Sequence, residues 1–458
     1  MYRLAQLLTS AAVSLAAAFT ESAAQAQDAT RRFVLHDAPV LALEHVQVID
    51  GTGAPALADR TILIEGGRIR SIAPSGQAVI PAGATRLDLS GHTVIPGLVM
   101  LHEHLNYFSG HSVWDTHPVS YPRLYLAAGV TTIRTAGSES PQVDLNVKRR
   151  IDAGQLAGPR IHVTGPFLNG TAMSFLGDYT VDDAAGARAV VAFWADRGAT
   201  SFKAYTGIGM PALAAAIEEA HRRGLQVIGH LESVSCADAA AAGIDAIEHS
   251  FASCLSDLGM KPGQDSLALD GTSPAVRNLI RQLVATGTAL TATPMGAVRV
   301  PIPDDERGYL SVEERARYEA TIADPPPFLP SPAHERTFRQ LERTFVAAGG
   351  RLALGSDPSD FGRIAGFANQ RVLEEMVYAG FTPLEVLRMA TRDGASLLGV
   401  GHEIGTIAPG MYADLVVLRR DPSNDIHAVR DVRMVFKGGV AYDAAALRES
   451  VRGMVGRH

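Results

Sequence analysis

The sequence predicts an α/β fold, a (β/α)8 TIM-like barrel with a small β-sandwich domain built from both chain ends. Two observations predict it. Eight short apolar runs of strand character, the first running into His102 and the last into Asp357, alternate with helical segments. Parallel strands joined by right-handed crossovers make a sheet that eight units can close into a barrel. Short alternating β segments stand at both chain ends, and neither set can bury its apolar face alone, so the two are expected to meet in one layer. The expected division is 1–26 as a signal peptide, 27–95 and 402–458 as the two parts of the small domain, and 96–401 as the barrel.

Composition sets the outer bounds. The 458 residues suit one large domain with a satellite, and 47% hydrophobic against 19% charged residues supplies a large core. A formal net charge of −7 with no offsetting basic run argues against a nucleic-acid or anionic-membrane partner. Arg3, the mostly Leu, Ala and Val run from Leu7 to Phe19, and Ala24-Gln25-Ala26 together form the pattern of a cleaved export signal. The mature chain is expected to begin near Gln27 and to reach a periplasm or the medium. No later apolar stretch is long enough for a transmembrane helix.

Taken in order, Ala42 to Ile49 reads as a strand ending in the turn Asp50-Gly51-Thr52-Gly53. Thr61 to Ile64 and Ile69 to Ile72 form a hairpin about Glu65-Gly66-Gly67-Arg68. The same texture returns at Gly405-Thr406-Ile407, Ala413 to Leu418 and Met434 to Gly439. Between these ends lie the strands Gly129–Arg134, Arg160–Thr164, Thr200–Tyr205, Gln226–His230, Asp245–His249, Ala289–Thr293 and Arg351–Asp357. Helices are expected from Ala184 to Arg197, Met210 to Arg223, Val276 to Thr286 and His334 to Ala348. A Pro-rich excursion, Met295 to Pro332, falls on the side where barrel enzymes keep their sites, and it is either a lid or a tolerated insertion.

Five of these strands end in a metal-competent or titratable side chain: His102 and His104, Lys203, His230, His249 and Asp357. His102 and His104 are two apart on a strand, so both imidazoles face the same way. That is half of a metal site. Singly, His230 or His249 would more often be a hydrogen-bonded core histidine, and Asp357 a turn or N-cap residue. Their joint arrival at the ends of parallel strands is what points to a site. Lys203 shares a face with Ser201 and Tyr205, the face that would look into the barrel. A buried ammonium is costly, so its pKa is driven down. A neutral amine can add carbon dioxide and become a bidentate anion able to bridge two cations. A solvated lysine at a strand end is the alternative.

The order of these motifs resembles the amidohydrolase superfamily across nearly all of the mature chain. The matching motifs are H-x-H after Pro96-Gly97-Leu98, the strand-end lysine, G-H, E-H, G-S-D, and the closing run Gly405 to Leu415. Within the superfamily the chain is similar to the imidazolonepropionase-related dipeptidases and N-acyl-amino-acid hydrolases. One departure is visible: members often carry Asp two residues before the first metal histidine, where this chain has Met100. The resemblance implies two divalent metal ions, most often zinc, although the ligand set also accepts cobalt, manganese or iron. His102, His104 and Asp357 would hold the first, His230 and His249 the second, and N6-carboxylated Lys203 would bridge both. Asp357 would act as general acid and base. The implied activity is hydrolysis of a small-molecule amide, a dipeptide or N-acyl amino acid. A lactone, carbamate or cyclic imide is the alternative substrate, and an exported binding protein on a dead hydrolase barrel the alternative class. A homo-oligomer is expected from the resemblance alone.

Two further residues are candidates for substrate contact. Tyr205 follows Lys203 on the same strand face, with packing as the alternative role. Arg134 ends the second strand and could meet a substrate carboxylate bidentately, or serve a structural ion pair. Cys236 and Cys254 follow His230 and His249 by six and five residues. If those strands are neighbours, a disulfide can brace the rim; two buried thiols are the alternative.

Overall fold

The computed structural model describes residues 30–109, 114–171, 177–260, 269–294, 301–325 and 332–457. The expected leader, 1–26, lies outside the described residues, as do His111 and parts of the 295–332 excursion.

Eight parallel strand positions form the barrel. They are β1 (Leu98–Glu103), β2 (Val130–Thr135), β3 in two pieces (Arg160–His162 and Thr164–Asn169), and β4 (Ser201–Ala204). The others are β5 (Gln226–Gly229), β6 (Ala246–Glu248), β7 (Ala289–Ala292) and β8 (Leu352–Leu354). Each pairs in parallel with the next, with β2 on the first piece of β3 and β4 on the second. The ring closes between β8 and β1, where the Asp357 amide donates to the His102 carbonyl at 2.9 Å. The strands are short, apolar and buried, as expected of a parallel sheet covered by helices.

The two chain ends meet in one nine-stranded sheet. Leu415–Leu418 lies between Thr93–Pro96 and Val432–Lys437, so a C-terminal strand is built into the N-terminal layer. This sheet carries its own core of Leu41, Leu43, Ile62, Ile64, Val417 and Phe436. The Gly66-Gly67 turn presses on the Gly438-Gly439 turn from the other end of the chain. A Cβ on Gly67 would fall 2.6 Å from the Gly438 carbonyl oxygen, and both Gly67 and Gly439 have left-handed backbones. Gly405-Thr406-Ile407 is not a strand; the Ile407 amide instead donates to the Asp50 carbonyl at 2.9 Å.

The sequence pattern did not reveal the helices after β8. Phe367–Tyr378 is one, and Pro383–Arg388 runs on through a π turn, Met389–Asp393, into Gly394–Leu397. Among its described residues the excursion holds two helices, Asp304–Arg307 and Val312–Ala323. Its described part is tied down. Glu306 pairs with Arg371 and Arg430, and buried Glu314 accepts from Tyr107 Oη at 2.9 Å, beside the loop after β1. These bonds make residues 301–325 a fixed part of the rim.

Candidate metal centre

The C-terminal ends of five barrel strands converge. His102 sits on β1 and His104 just past it; Lys203 lies in β4; His230 and His249 directly follow β5 and β6; Asp357 follows β8. The His230 and His249 ring centroids are 4.3 Å apart, and those of His102 and His249 4.6 Å. Asp357 Oδ1 lies 3.2 Å from His104 Nε2 and 3.8 Å from His102 Nε2. All six side chains expected from the sequence are thus brought to one end of the barrel.

Hydrogen bonds fix the orientation of the rings. His102 Nδ1 is 2.5 Å from Glu248 Oε2, and His249 Nδ1 is 2.8 Å from Thr293 Oγ1. Each leaves an Nε2 uncommitted to the protein frame. Burial drives the imidazoles toward the neutral form, with Lys203 adding to the effect: His102 and His249 are held well below the usual range and His230 is pushed down to about 3. For Asp357, burial opposes ionisation, but Arg363, His102 and His104 outweigh it and hold the carboxyl well below its ordinary range. Neutral imidazoles beside an ionised carboxylate are the donor chemistry of a divalent metal site. Ligand atoms of His102, His249 and Asp357 lie within 4.8 Å of one another, and His104 Nδ1 is buried with no hydrogen-bond partner among the described residues. The donor set therefore fits a bound cation.

Lys203 is fully buried, with Nζ 5.6 Å from the ring centroids of both Phe167 and Tyr205. Burial lowers its pKa to about 8, against the pull of Glu248 and Asp357. Its amine makes no hydrogen bond among the described residues.

The Amidohydrolase family profile matches residues 93–441. This chain belongs to that family.

Known structures and sequences agree with this membership. A prolidase candidate from Bifidobacterium longum is 27% identical, with a TM-score of 0.66, covering 90% of this chain and 98% of its own. A Xaa-Pro dipeptidase solved with bound methionine has the same fold at 22% identity and a TM-score of 0.67, covering 88% of this chain and 100% of its own. Adenine deaminase 2 of Bradyrhizobium sp. (strain ORS 278) is 25% identical over 397 residues, 83% of this chain and 55% of its own. The chain spans about half or less of the length of the curated relatives it matches.

Two sequence-level expectations for the amidohydrolase's substrate contacts fare differently. Tyr205 stands at the mouth, half-buried, its ring 5.2 Å from that of His230 and 5.0 Å from that of Phe167. Arg134 does not serve as a carboxylate clamp at the mouth. It is only 2% exposed; its Nη2 donates to Glu248 Oε1 at 2.6 Å and its Nε to the Leu101 carbonyl at 3.0 Å. The long side chain reaches inward because a buried guanidinium needs a buried carboxylate, and Glu248 supplies one. Met100, at the position where relatives often carry Asp, is fully buried in the apolar core.

Sequence reasoning missed two carboxylates. Glu248 enters the sequence pattern only as the first residue of E-H, and Glu103 only as the middle residue of H-x-H. Glu103 accepts from the Ser356 amide at 2.9 Å, the Ser356 hydroxyl at 2.6 Å and the Asn369 amide at 2.8 Å, binding the end of β1 to the loop that carries Asp357. The available signal was a glutamate within or at the end of an otherwise apolar barrel strand, which demands a partner. Cys236 and Cys254 do pair, with Cα atoms 5.5 Å apart, joining the segments that follow His230 and His249.

Proposed function

We propose that this amidohydrolase cleaves the amide bond of a small dipeptide or N-acyl amino acid at a centre of two divalent metal ions, most readily zinc. The observation that carries the proposal is the meeting of four imidazoles, those of His102 and His104 buried and those of His230 and His249 half-buried, with Asp357 and a buried lysine amine that has no hydrogen bond among the described residues, at one end of the barrel. His102, His104 and Asp357 would hold one ion, His230 and His249 the other, with Lys203 between them. Lys203 Nζ would form an N–C bond to carbon dioxide and release one proton, turning a stranded amine into a carboxylate ligand. When bound, the ions would polarise the scissile carbonyl and lower the pKa of the attacking water. Asp357 accepts the proton that the water loses on attack and returns it to the leaving nitrogen as the C–N bond breaks. The products are a carboxylate and an amine.

The dipeptide reading is supported by the prolidase candidate, which aligns over nearly the whole chain. The adenine deaminase relative supports a second reading, hydrolytic loss of ammonia from a purine-like ring. The leader pattern over 1–26 supports export, which N-terminal sequencing of the mature protein tests.

The deciding experiment is a panel assay on zinc-loaded mature protein with Lys203→Ala beside it. The panel holds dipeptides, N-acyl amino acids, adenine, lactones and carbamates. Amine release from one side-chain class, abolished in the variant, supports the proposal. Ammonia release from adenine alone, or no amide cleavage in a protein that holds two metals, overturns the amide reading.

A further inference from the structure

Beneath the metal centre, on the barrel side away from the mouth, Arg134, Glu248 and His102 form one line of contacts. Glu248 is fully buried. Its Oε1 accepts from Arg134 Nη2 at 2.6 Å and from Thr291 Oγ1 at 3.3 Å; its Oε2 faces His102 Nδ1 at 2.5 Å. Arg134 is anchored in turn by its Nε on the Leu101 carbonyl of β1, one residue before His102. A cavity of about 180 Å³ lies under it, lined in part by Arg134, Thr291 and Ala353.

We propose that Arg134 is a positioning residue for the metal centre and acts through Glu248. This rests on the reading of His102 as a metal ligand. A guanidinium can only donate, so it holds Glu248 Oε1 and turns Oε2 toward the ring. A carboxylate can only accept, so His102 carries its proton on Nδ1 and keeps its Nε2 lone pair toward Asp357 and His249. Neither Arg134 nor Glu248 is a ligand in this scheme. The pair sets which nitrogen of His102 is one.

The chemistry makes Glu248→Gln informative. A glutamine at 248 cannot turn its NH2 toward the guanidinium, donor against donor, so the NH2 faces His102. His102 then accepts at Nδ1, its proton moves to Nε2, and its metal-directed lone pair is lost. The experiment has two readouts on the full mature protein: 15N-histidine NMR of the metal-free form, with His102 assigned by loss of its signal in His102→Asn, and zinc affinity by chelator competition. Wild type should show the Nδ1–H form. Glu248→Gln should show the Nε2–H form and weaker zinc by about 10–100-fold. Arg134→Met should lose the single tautomer and weaken zinc comparably, and Arg134→Lys should restore part of both. Retention of the Nδ1–H form and of wild-type zinc affinity in Arg134→Met and Arg134→Lys overturns the proposal and leaves Arg134 a core ion pair. If Arg134→Met does not fold, Arg134→Lys and Glu248→Gln decide it by the same two readouts. A wild type that binds no zinc yet shows the Nδ1–H form defeats the metal reading of the preceding section, not the hydrogen-bonded strut.

Discussion

Gly355 lies against the backbone of His102 so closely that a Cβ at 355 would fall 2.2 Å from the His102 Cβ and 2.7 Å from its nitrogen. The loop carrying Asp357 is thereby laid directly on the strand carrying His102. Gly355→Ala must push the two apart. The expected cost is about 1–3 kcal/mol of stability from overpacking, together with weaker metal binding because Asp357 and His102 separate. Urea denaturation and zinc competition on the same preparation check both; unchanged zinc affinity would show that the close approach is not what sets the site.

Glu103 makes the same connection by hydrogen bonds. It satisfies the Ser356 amide, the Ser356 hydroxyl and Asn369 in a fully buried position. Glu103→Ala leaves those donors unpaired at about 1–3 kcal/mol each. The urea midpoint should fall with little change in slope. Activity should fall further than stability predicts, because the Asp357 loop is no longer tied to β1.

The disulfide joins residues separated by 18 positions, one the first residue of the helix after His230 (Cys236–Ala241) and one the last of the 3-10 turn after His249 (Ser250–Cys254). A loop of that length is worth roughly 3 kcal/mol on the chain-entropy account. Thiol titration of the unfolded, unreduced protein should find no free thiol, and Cys236→Ser with Cys254→Ser should lower stability by about that amount. Two titratable thiols would contradict the pairing.

Asp144 provides a pH dependence away from the metal centre. Burial raises its pKa to about 7, although Ser138 Oγ donates to it at 2.6 Å. Between the unfolded value near 4 and the folded value, the folded chain binds a proton that the unfolded chain has released. Stability from this group is therefore full below pH 4 and is lost as pH rises toward 7. Asp144→Asn should flatten that part of the pH–stability curve and make the protein more stable than wild type at pH 8. Denaturation midpoints from pH 4 to 8 check it; parallel curves for the two proteins would exclude Asp144 as the source.

The sequence by itself determined the class of fold and the residues that meet at its open end. Both are local signals: strand-helix alternation sets the barrel, and a histidine, lysine or aspartate where five of the apolar runs stop marks the face on which its side chain emerges. The union of the two chain ends was legible too, since neither β segment has a partner nearby. Only the tertiary structure decided what Arg134, Glu248 and Glu103 do. Arg134 and Glu248 are 114 residues apart, and Glu103 and Ser356 are 253 apart. Nothing in the local pattern of either partner says that a buried charge will find its counter-charge across the barrel rather than a substrate at its mouth. That choice depends on which way a long side chain must turn to avoid being buried alone. It is settled by closure of the barrel, which sets β1, β2, β6 and β8 around one interior.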